Sequence, residues 1–575
     1  MNTRKKIVHR EYNSKVVKSL ESHGLDSLLP KIYAARGVSS IDEVHYTLKN
    51  LIPFEKLQGA LEAANLIYEA IENEKSIVIL GDYDADGATA VAVMVSAFRM
   101  FGIKVNYIVP NRFKEGYGLT TDLVDEAREK YQADLIISVD SGIRDVDGVD
   151  YANSLGMQVI ITDHHLPAEI LPKAAVIVNP NLPINKDFPS KSMAGVGVAF
   201  YVMLSLRSVL RKNDWFVMRD INDPNMAELL DLVALGTIAD VVDLDKNNRL
   251  MVYQGLLRIK KDKARVGIRA LFSVTQRNIE VATSGDLAFA IAPHINAAGR
   301  LQDISVGVQL LISVDPIESD KLALQLHDLN VERKKIEALM QQQAIDIVNE
   351  YKDKDLNISS GLCLYKKEWH QGVAGILASR MKEQFLCPVV VLTFSSEAEL
   401  KGSARSIDGV DILQVITDIA DKYPNIVLKF GGHKTAAGLT ISADGFEVFQ
   451  QEFALCCKKL LDMNAADIVL ESDGELPANR LTIETAKMLR DAGPWGCGFS
   501  EPLFHGRFNI VEQRIVGQRH LKLSLQNTNS YEILNAIMFN VDLEKWPNEL
   551  VDQVDILYRL DVNEFRGFHH LQLIV

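Results

Sequence analysis

At 575 residues, with 47% hydrophobic side chains, the chain is too long for one core and rich enough in apolar material to fold as roughly three or four domains, with disorder expected only at the ends. Glycine and proline are dispersed and no low-complexity tract or repeat stands out, so a globular enzyme or an assembly factor is the expected class. A net charge of −14 argues against a protein that coats nucleic acid without preference, while leaving room for a local basic groove.

The start, "MNTRKKIVHREYNS", is basic but lacks the apolar centre of a signal peptide, and no run approaches the roughly 18 apolar residues of a membrane span. A cytoplasmic protein without membrane contact is expected. The five cysteines, Cys363, Cys387, Cys456, Cys457 and Cys497, form no C-x-x-C pair, so they read as reduced thiols rather than zinc ligands or a disulfide framework.

In chain order, residues 1–50 read as an N-terminal extension of short helical pieces. Strand and helix then alternate: "SIVIL" (76–80), a helix over 87–101, "KVNYIV" (104–109), a helix over 121–131, "DLIISV" (134–139), "MQVIIT" (157–162) and "AAVIV" (174–178). Such short apolar runs between helices predict an α/β fold with a parallel sheet covered on both faces. A mostly helical stretch follows from about 193 to 312. Over 320–351, Leu322, Leu326, Leu329, Ile336, Leu339, Met340, Ile347 and Tyr351 recur at three- and four-residue steps. That spacing predicts one long amphipathic connector helix, the alternative being two helices broken near Val331.

A second, smaller α/β segment runs from about 358 to 460, with strands near "SGLCLY" and "CPVVVLTF". After "GPWGCGFSEP" (493–502) closely spaced alternating strands suggest a small β-barrel, either of the oligonucleotide-binding type or one used only for packing. The expected boundaries are 1–50 for the extension, 51–315 for the first α/β domain, 316–355 for the connector, 356–465 for the second α/β domain and 466–575 for the barrel.

The chemistry concentrates where strands stop. "SIVIL" runs into "GDYDADG", with Asp82, Asp84 and Asp86; "DLIISV" into Asp140; and "MQVIIT" into Asp163, His164 and His165. In a parallel sheet these ends share one edge, where α/β folds place ligands. Asp240 interrupts the apolar stretch "LLDLVALGTIADVVDL", where an unpaired carboxylate costs on the order of several kcal/mol unless a cation compensates it. Each group alone has a plainer reading: "DxDxDG" as a capped turn or calcium loop, "DHH" as a solvated strand end, "IAD" as a helix cap. Together they predict a site for two divalent metals roughly 3.5–4 Å apart that share a carboxylate, a clamp for in-line displacement at phosphorus. Mixed carboxylate and imidazole donors favour Mn²⁺ or Mg²⁺ over zinc or calcium, and the histidines tilt the choice to Mn²⁺.

The motifs "GDYDADG", "VDSG", "TDHH" and "GTIADVV", in this order and spacing, resemble the DHH phosphoesterase superfamily. Within it, "HINAAGRL" (294–301), "GSARS" (402–406) and "GGHKTAAG" (431–438) resemble the RecJ subfamily of bacterial single-strand-specific DNA exonucleases and its DHH-associated second domain. The likeness extends from about residue 50 to 575, terminal barrel included. It implies a metal-dependent 5′→3′ exonuclease that releases mononucleotides from single-stranded DNA in recombination and repair. It further implies one metal on Asp84 and Asp140 with Asp82 or water nearby, and another on Asp86, Asp140, His164 and Asp240. Asp163 and His165 then orient ligands or assist catalysis.

Substrate phosphates want glycine-rich backbone and arginine forks. "GGHKTAAG" offers Gly431, Gly432 and His433, "NAAGR" offers Asn296 and Arg300, and "GSARS" offers Ser403 and Arg405. Arg112 follows the strand "KVNYIV" and so lies on the acidic edge; a surface ion pair is the plainer reading for any one arginine. By resemblance, Arg112, Ser403 and Arg405 form a pocket for a 5′ phosphate. His370, in "EWHQGVAG", either touches substrate or caps a helix. The expected active site is a cleft between the two α/β domains, narrow enough to exclude duplex, with Phe504, Phe508 and Tyr531 as stacking platforms on the barrel or as its core.

Single-strand-binding protein and a helicase are candidate partners of a monomer. The rival readings are a relative that cuts pyrophosphate, short oligonucleotides or cyclic dinucleotides, which needs less surface, and a non-catalytic replication-fork scaffold, which would have lost carboxylates that this chain keeps.

Overall fold

The computed structural model describes residues 6–112, 116, 118–353, 360–463, 469–517, 519–527, 532–543, 545–565 and 567–575. The chain divides into two compact units. The first comprises residues 1–296, 304–324 and 468–575, and the second comprises 297–303 and 325–467.

The first unit is built on a five-stranded sheet of β2 (Ile77–Leu80), β3 (Asn106–Ile108), β4 (Leu135–Val139), β5 (Gln158–Thr162) and β6 (Val176–Val178). Their order is β3-β2-β4-β5-β6 and every pairing is parallel. Ile77–Leu80 and Leu135–Val139 are buried at every position, as runs covered on both faces require. Helix Ala85–Met100 is buried along nearly its whole length, and helix Leu230–Ala239 is buried from Leu230 to Ile238, so both belong to the core rather than to its surface.

The N-terminal residues differ from a purely helical extension. β1 (Lys6–His9) pairs in parallel with β12 (Val469–Ser472), so the N-terminal residues are stitched to the segment that precedes the barrel. Arg36, two helices further on, reaches the same region with a bidentate pair to Asp473 at 2.8 Å.

The C-terminal barrel is closed: β13 (Phe504–Val516), β14 (His520–Asn527), β15 (Ile533–Met538), β17 (Phe568–Ile574) and β16 (Gln553–Phe565) follow one another around it. Phe504 and Phe508 are 2% and 1% exposed and pack on Tyr558 inside it. They are core, not stacking platforms, because alternate residues of these strands point into the barrel. Tyr531 lies outside the described residues.

The second unit holds a mixed sheet, β10 (Val427–His433), β11 (Ala436–Ser442), β9 (Glu399–Arg405), β8 (Val389–Phe394) and β7 (Leu362–Tyr365), in that order. β7 and β8 are parallel and the remaining pairings antiparallel. Helix Pro316–Asp353 is one unbroken element of 38 residues, about 57 Å long, with no break at Val331. From Gln325 on it belongs to this unit, where Arg333 pairs with Glu337 at 2.6 Å and Glu337 with Arg380 at 3.1 Å.

Candidate active site

The loop after β2 turns at once into helix Ala85–Met100, and its three aspartates take three different positions. Asp84 is the N-cap: its Oδ1 accepts the N–H groups of Asp86 and Gly87 at 2.9 and 3.0 Å. Asp86, one residue inside the helix, accepts N–H bonds from Gly195 and Val196 at 2.7 and 3.0 Å, the first turn of helix Gly195–Lys212. Asp82 accepts the Tyr83 N–H at 2.7 Å. Their carboxylates, with Asp140 after β4, His164 and His165 after β5, and Asp240 at the end of helix Leu230–Ala239, meet at the carboxyl edge of the sheet.

Three sets of potential ligand atoms each lie within 4.8 Å of one another: Asp82, Asp84 and Asp140; Asp86, His164 and Asp240; and Asp140, His164 and His165. Asp140 belongs to two of them and His164 to two. His164 Nε2 stands 3.2 Å from Asp140 Oδ1 and 3.4 Å from Asp240 Oδ2, and these three buried atoms have no hydrogen-bond partner among the described residues. Asp240 caps the C-terminus of its helix, the negative end of the dipole, where a carboxylate is disfavoured.

Burial and mutual repulsion push these acids up: Asp82, Asp140 and Asp240 well above the ordinary carboxylate range, and Asp86 to about 7. Burial, helped by His165, lowers His164 to about 4, so its ring is neutral and a ligand lone pair is available. Orphaned acceptors, a neutral imidazole and unrelieved acidic charge are the donor set of a hard divalent cation pair, so the residues fit Mn²⁺ or Mg²⁺.

Asp163 stands apart. Its Oδ1 accepts the backbone N–H of His164 and His165 at 2.7 and 3.0 Å and pairs with His165 Nδ1 at 2.8 Å, while Oδ2 accepts the Ile143 N–H at 2.9 Å. Burial would raise it, but the His165 bond and the backbone donors override that and hold it at about 2. Asp163 therefore positions the two histidines, and in return its charge raises His165 above the usual value against the effect of burial. Asn296 is likewise a positioning group here: its side-chain oxygen accepts the Ala85 N–H at 2.9 Å, fixing the start of the acidic helix. The Arg112 guanidinium lies 4.3 Å over the ring of Tyr83, between Asp82 and Asp84 in sequence.

Residues that the sequence patterns do not single out complete the frame. Asn181 Nδ2 donates to the His164 carbonyl at 2.6 Å and Asn179 Nδ2 to that of His165 at 2.9 Å, pinning the histidine turn. A Cβ on Gly195 would fall 2.3 Å from Asp140 Oδ1, and one on Gly236 2.8 Å from Asp86 Oδ1, so both glycines allow helices to approach the acids. The signals available were "VNPN" after β6 and the glycines of "AGVGVAF" and "ALGTIAD", none of which carries chemistry by itself.

In the second unit, Ser403 and Arg405 occupy alternate positions of β9 and so share a face. A Cβ on Gly375 would fall 3.1 Å from Arg405 Nη2 and 3.5 Å from Ser403 Oγ, which sets both side chains at the N-terminus of helix Ala374–Phe385. Guanidinium, hydroxyl and helix dipole together suit a phosphate. His370 caps the preceding turn, its Nδ1 accepting the Gly372 N–H at 3.1 Å, and Arg300 donates to the Gly372 carbonyl at 3.2 Å. The "GGHKTAAG" segment is not a glycine loop. Gly431, Gly432 and His433 end strand β10 and pair with Gly438, Ala437 and Ala436 of β11, because small residues suit a flat hairpin.

Family comparisons agree with these elements. The "DHH family, N-terminal domain" matches residues 76–237, the "DHHA1 domain" 359–459 and the "RecJ OB domain" 472–575. The single-stranded-DNA-specific exonuclease RecJ of Escherichia coli K12 is 47% identical over 552 residues, covering 96% of this chain and 95% of that protein. The chain belongs to the RecJ family. The RecJ of Bacillus subtilis is 32% identical over 99% of this chain and 70% of its own. The crystal structure of RecJ from Thermus thermophilus in complex with Mn²⁺ superposes with a TM-score of 0.81 at 27% identity, covering 100% of this chain and 78% of that one. The Mg²⁺ complex of the same RecJ gives 0.75.

Proposed function

We propose that this chain is a two-metal 5′→3′ exonuclease that degrades single-stranded DNA to 5′-mononucleotides in recombination and repair. The carrying observation is the shared position of Asp140 and His164 in converging sets of ligand atoms with buried, unpartnered oxygens and nitrogen. Family membership supports the substrate, since the relatives are single-strand-specific exonucleases by name. Mn²⁺ or Mg²⁺ is the cofactor, as both ions occur in complexes of a solved RecJ.

Asp82, Asp84 and Asp140 would hold one ion, and Asp86, Asp140, His164 and Asp240 the other, so that Asp140 serves both. Two such ions would supply positive charge beside the scissile phosphate and lower the pKa of the attacking water. Asp163 fixes the His165 ring through Nδ1, so that the histidine turn does not move as charge develops. Arg405 and Ser403 bind the 5′ phosphate, with Arg112, Arg300, His370, Gly431, Gly432 and His433 as further contacts to the strand. Asn296 acts on the strand beside the acidic helix, whose first N–H it accepts.

The boundaries that accompany this reading are an extension to 50, a DHH domain over 51–315, a connector over 316–355, a DHH-associated domain over 356–465 and a barrel over 466–575. No described helix is long and apolar enough to cross a membrane. The enzyme works as a cytoplasmic monomer, with single-strand-binding protein and a helicase supplying its substrate.

The test is degradation of a 5′-phosphorylated, 3′-labelled single strand and its duplex, each with Mn²⁺, Mg²⁺ or EDTA. Mononucleotide release from the 5′ end of the single strand alone, and only with metal, is expected. Strand binding without degradation in any metal would favour a scaffold, and neither binding nor cleavage would favour small phosphoesters.

A further inference from the structure

The turn that carries Asp240 is built to need support. Asp240 sits at the helix C-terminus, and the next residue, Val241, has φ +61, a left-handed conformation that a β-branched side chain rarely adopts. Such a conformation persists where the surroundings hold it. Three residues on, the Leu244 N–H donates to the Cys497 carbonyl at 2.8 Å, and the Cys497 thiol donates to Asp243 Oδ1 at 3.1 Å. Gly496 lies against the buried Leu244 side chain: a Cβ there would fall 2.7 Å from Leu244 Cδ1 and 3.2 Å from its Cγ. Arg249 closes the contact, donating to the Leu244 carbonyl at 2.8 Å while its guanidinium stacks 4.3 Å over Phe499.

The supporting segment is itself fixed. The Gly496 N–H donates to the Phe499 carbonyl at 2.9 Å, Trp495 stacks on Phe499 at 5.1 Å, and Ser284 Oγ donates to the Trp495 carbonyl at 2.6 Å. Tyr33, from the N-terminal residues, stacks on Phe499 and donates to the Ala492 carbonyl at 2.9 Å. This internally bonded loop thus packs on the residues that follow Asp240, the ligand group that no strand of the sheet positions.

We propose that the loop Gly493–Phe499, which leads into the barrel, is a positioning element for the ligand Asp240, with Gly496 and Cys497 as its contact residues. The inference rests on the two-metal reading. It assigns to the entry of the barrel a role in metal affinity separate from any role in holding DNA.

The test is Mn²⁺ binding to the full-length protein, followed by electron paramagnetic resonance of the free ion, alongside thermal melting and exonuclease kinetics. Gly496→Val is expected to weaken Mn²⁺ binding by about tenfold, the scale on which groups behind a ligand act. The rate should recover at saturating Mn²⁺ with the KM for DNA unchanged, and Gly496→Val/Leu244→Ala, which returns the space, should recover the affinity. Cys497 is exposed and Cys497→Ala leaves the backbone contact in place, so it reports even where the valine variant does not fold. It should show a smaller loss in the same direction that Cys497→Ser, which keeps a donor for Asp243, reverses. Wild-type affinity in both Gly496→Val and Cys497→Ala would overturn the proposal, as would a valine defect that Leu244→Ala does not relieve. A wild-type protein that binds no Mn²⁺ would instead overturn the metal reading beneath it.

Discussion

His164 Nε2 and Asp140 Oδ1 stand 3.2 Å apart, both buried, and neither completes a hydrogen bond among the described residues. A neutral imidazole and a carboxylate in that relation leave two lone pairs facing one space, which is costly unless a cation fills it. Asp140→Asn should therefore abolish metal-dependent turnover, by about a thousandfold or more as expected when a bridging charge is lost, while single-strand binding is retained. In EDTA the same variant should melt higher than wild type, because it removes a buried charge that other acids repel. A variant keeping more than a few percent of the activity would remove Asp140 from the centre of the site.

Metal dependence of stability should itself depend on pH. Asp86 is held at about 7 by burial and by Asp84, and Asp82, Asp140 and Asp240 are raised well above their ordinary range. A group whose folded pKa is raised binds more protons folded than unfolded, so its contribution falls as pH rises from the unfolded value near ~4 through the folded one. Metal-free protein should thus lose stability between about pH 4 and 7 through these groups, and Mn²⁺ should restore it. Melting curves in EDTA and in Mn²⁺ at pH 5 and 8 check this; the gap between them should widen at the higher pH.

Asp163 titrates in the opposite sense. Despite burial, the His165 ring and the backbone donors hold it at about 2, so its stabilisation is present above about pH 4 and is lost as pH falls toward 2. Asp163→Ala leaves four donors without an acceptor and should destabilise the protein by about 3 kcal/mol. Denaturant unfolding measures that loss. Activity should fall with it even where the protein is folded, since the histidine turn loses its anchor.

Arg405 and Ser403 meet at the N-terminus of helix Ala374–Phe385. Arg405→Ala should reduce the preference for 5′-phosphorylated over 5′-hydroxyl single strands by about tenfold, the worth of one charged hydrogen bond. Equal rates on both end types in wild type and variant would remove the pair from the phosphate site.

The acidic edge was legible because Asp82, Asp140 and Asp163 each lie just after an apolar run that pairs as a buried parallel strand, which brings such ends together, whereas Asp240 ends a helix and stood out only as a carboxylate within an apolar stretch. The long connector was legible for the same kind of reason, a three-and-four spacing sustained past Val331. What stayed hidden depends on contacts between distant backbones. Lys6 pairs with Val469, and nothing in "KIVH" or "VLES" names the other. Asn179 and Asn181 act on carbonyls of the histidine turn, a role that any polar residue near a turn can play. The glycines of "GGHKTAAG" read as a loop because glycine permits one, yet ladder bonds to β11 decide otherwise. Phe504 and Phe508 follow barrel alternation, whose inward phase is set only once the barrel closes.

The measurement that reaches the centre of this account is anomalous diffraction at the manganese edge from crystals of the protein grown with Mn²⁺. Two peaks about 3.5–4 Å apart, both in contact with the Asp140 carboxylate, are predicted. One peak, or two that do not share Asp140, would contradict it.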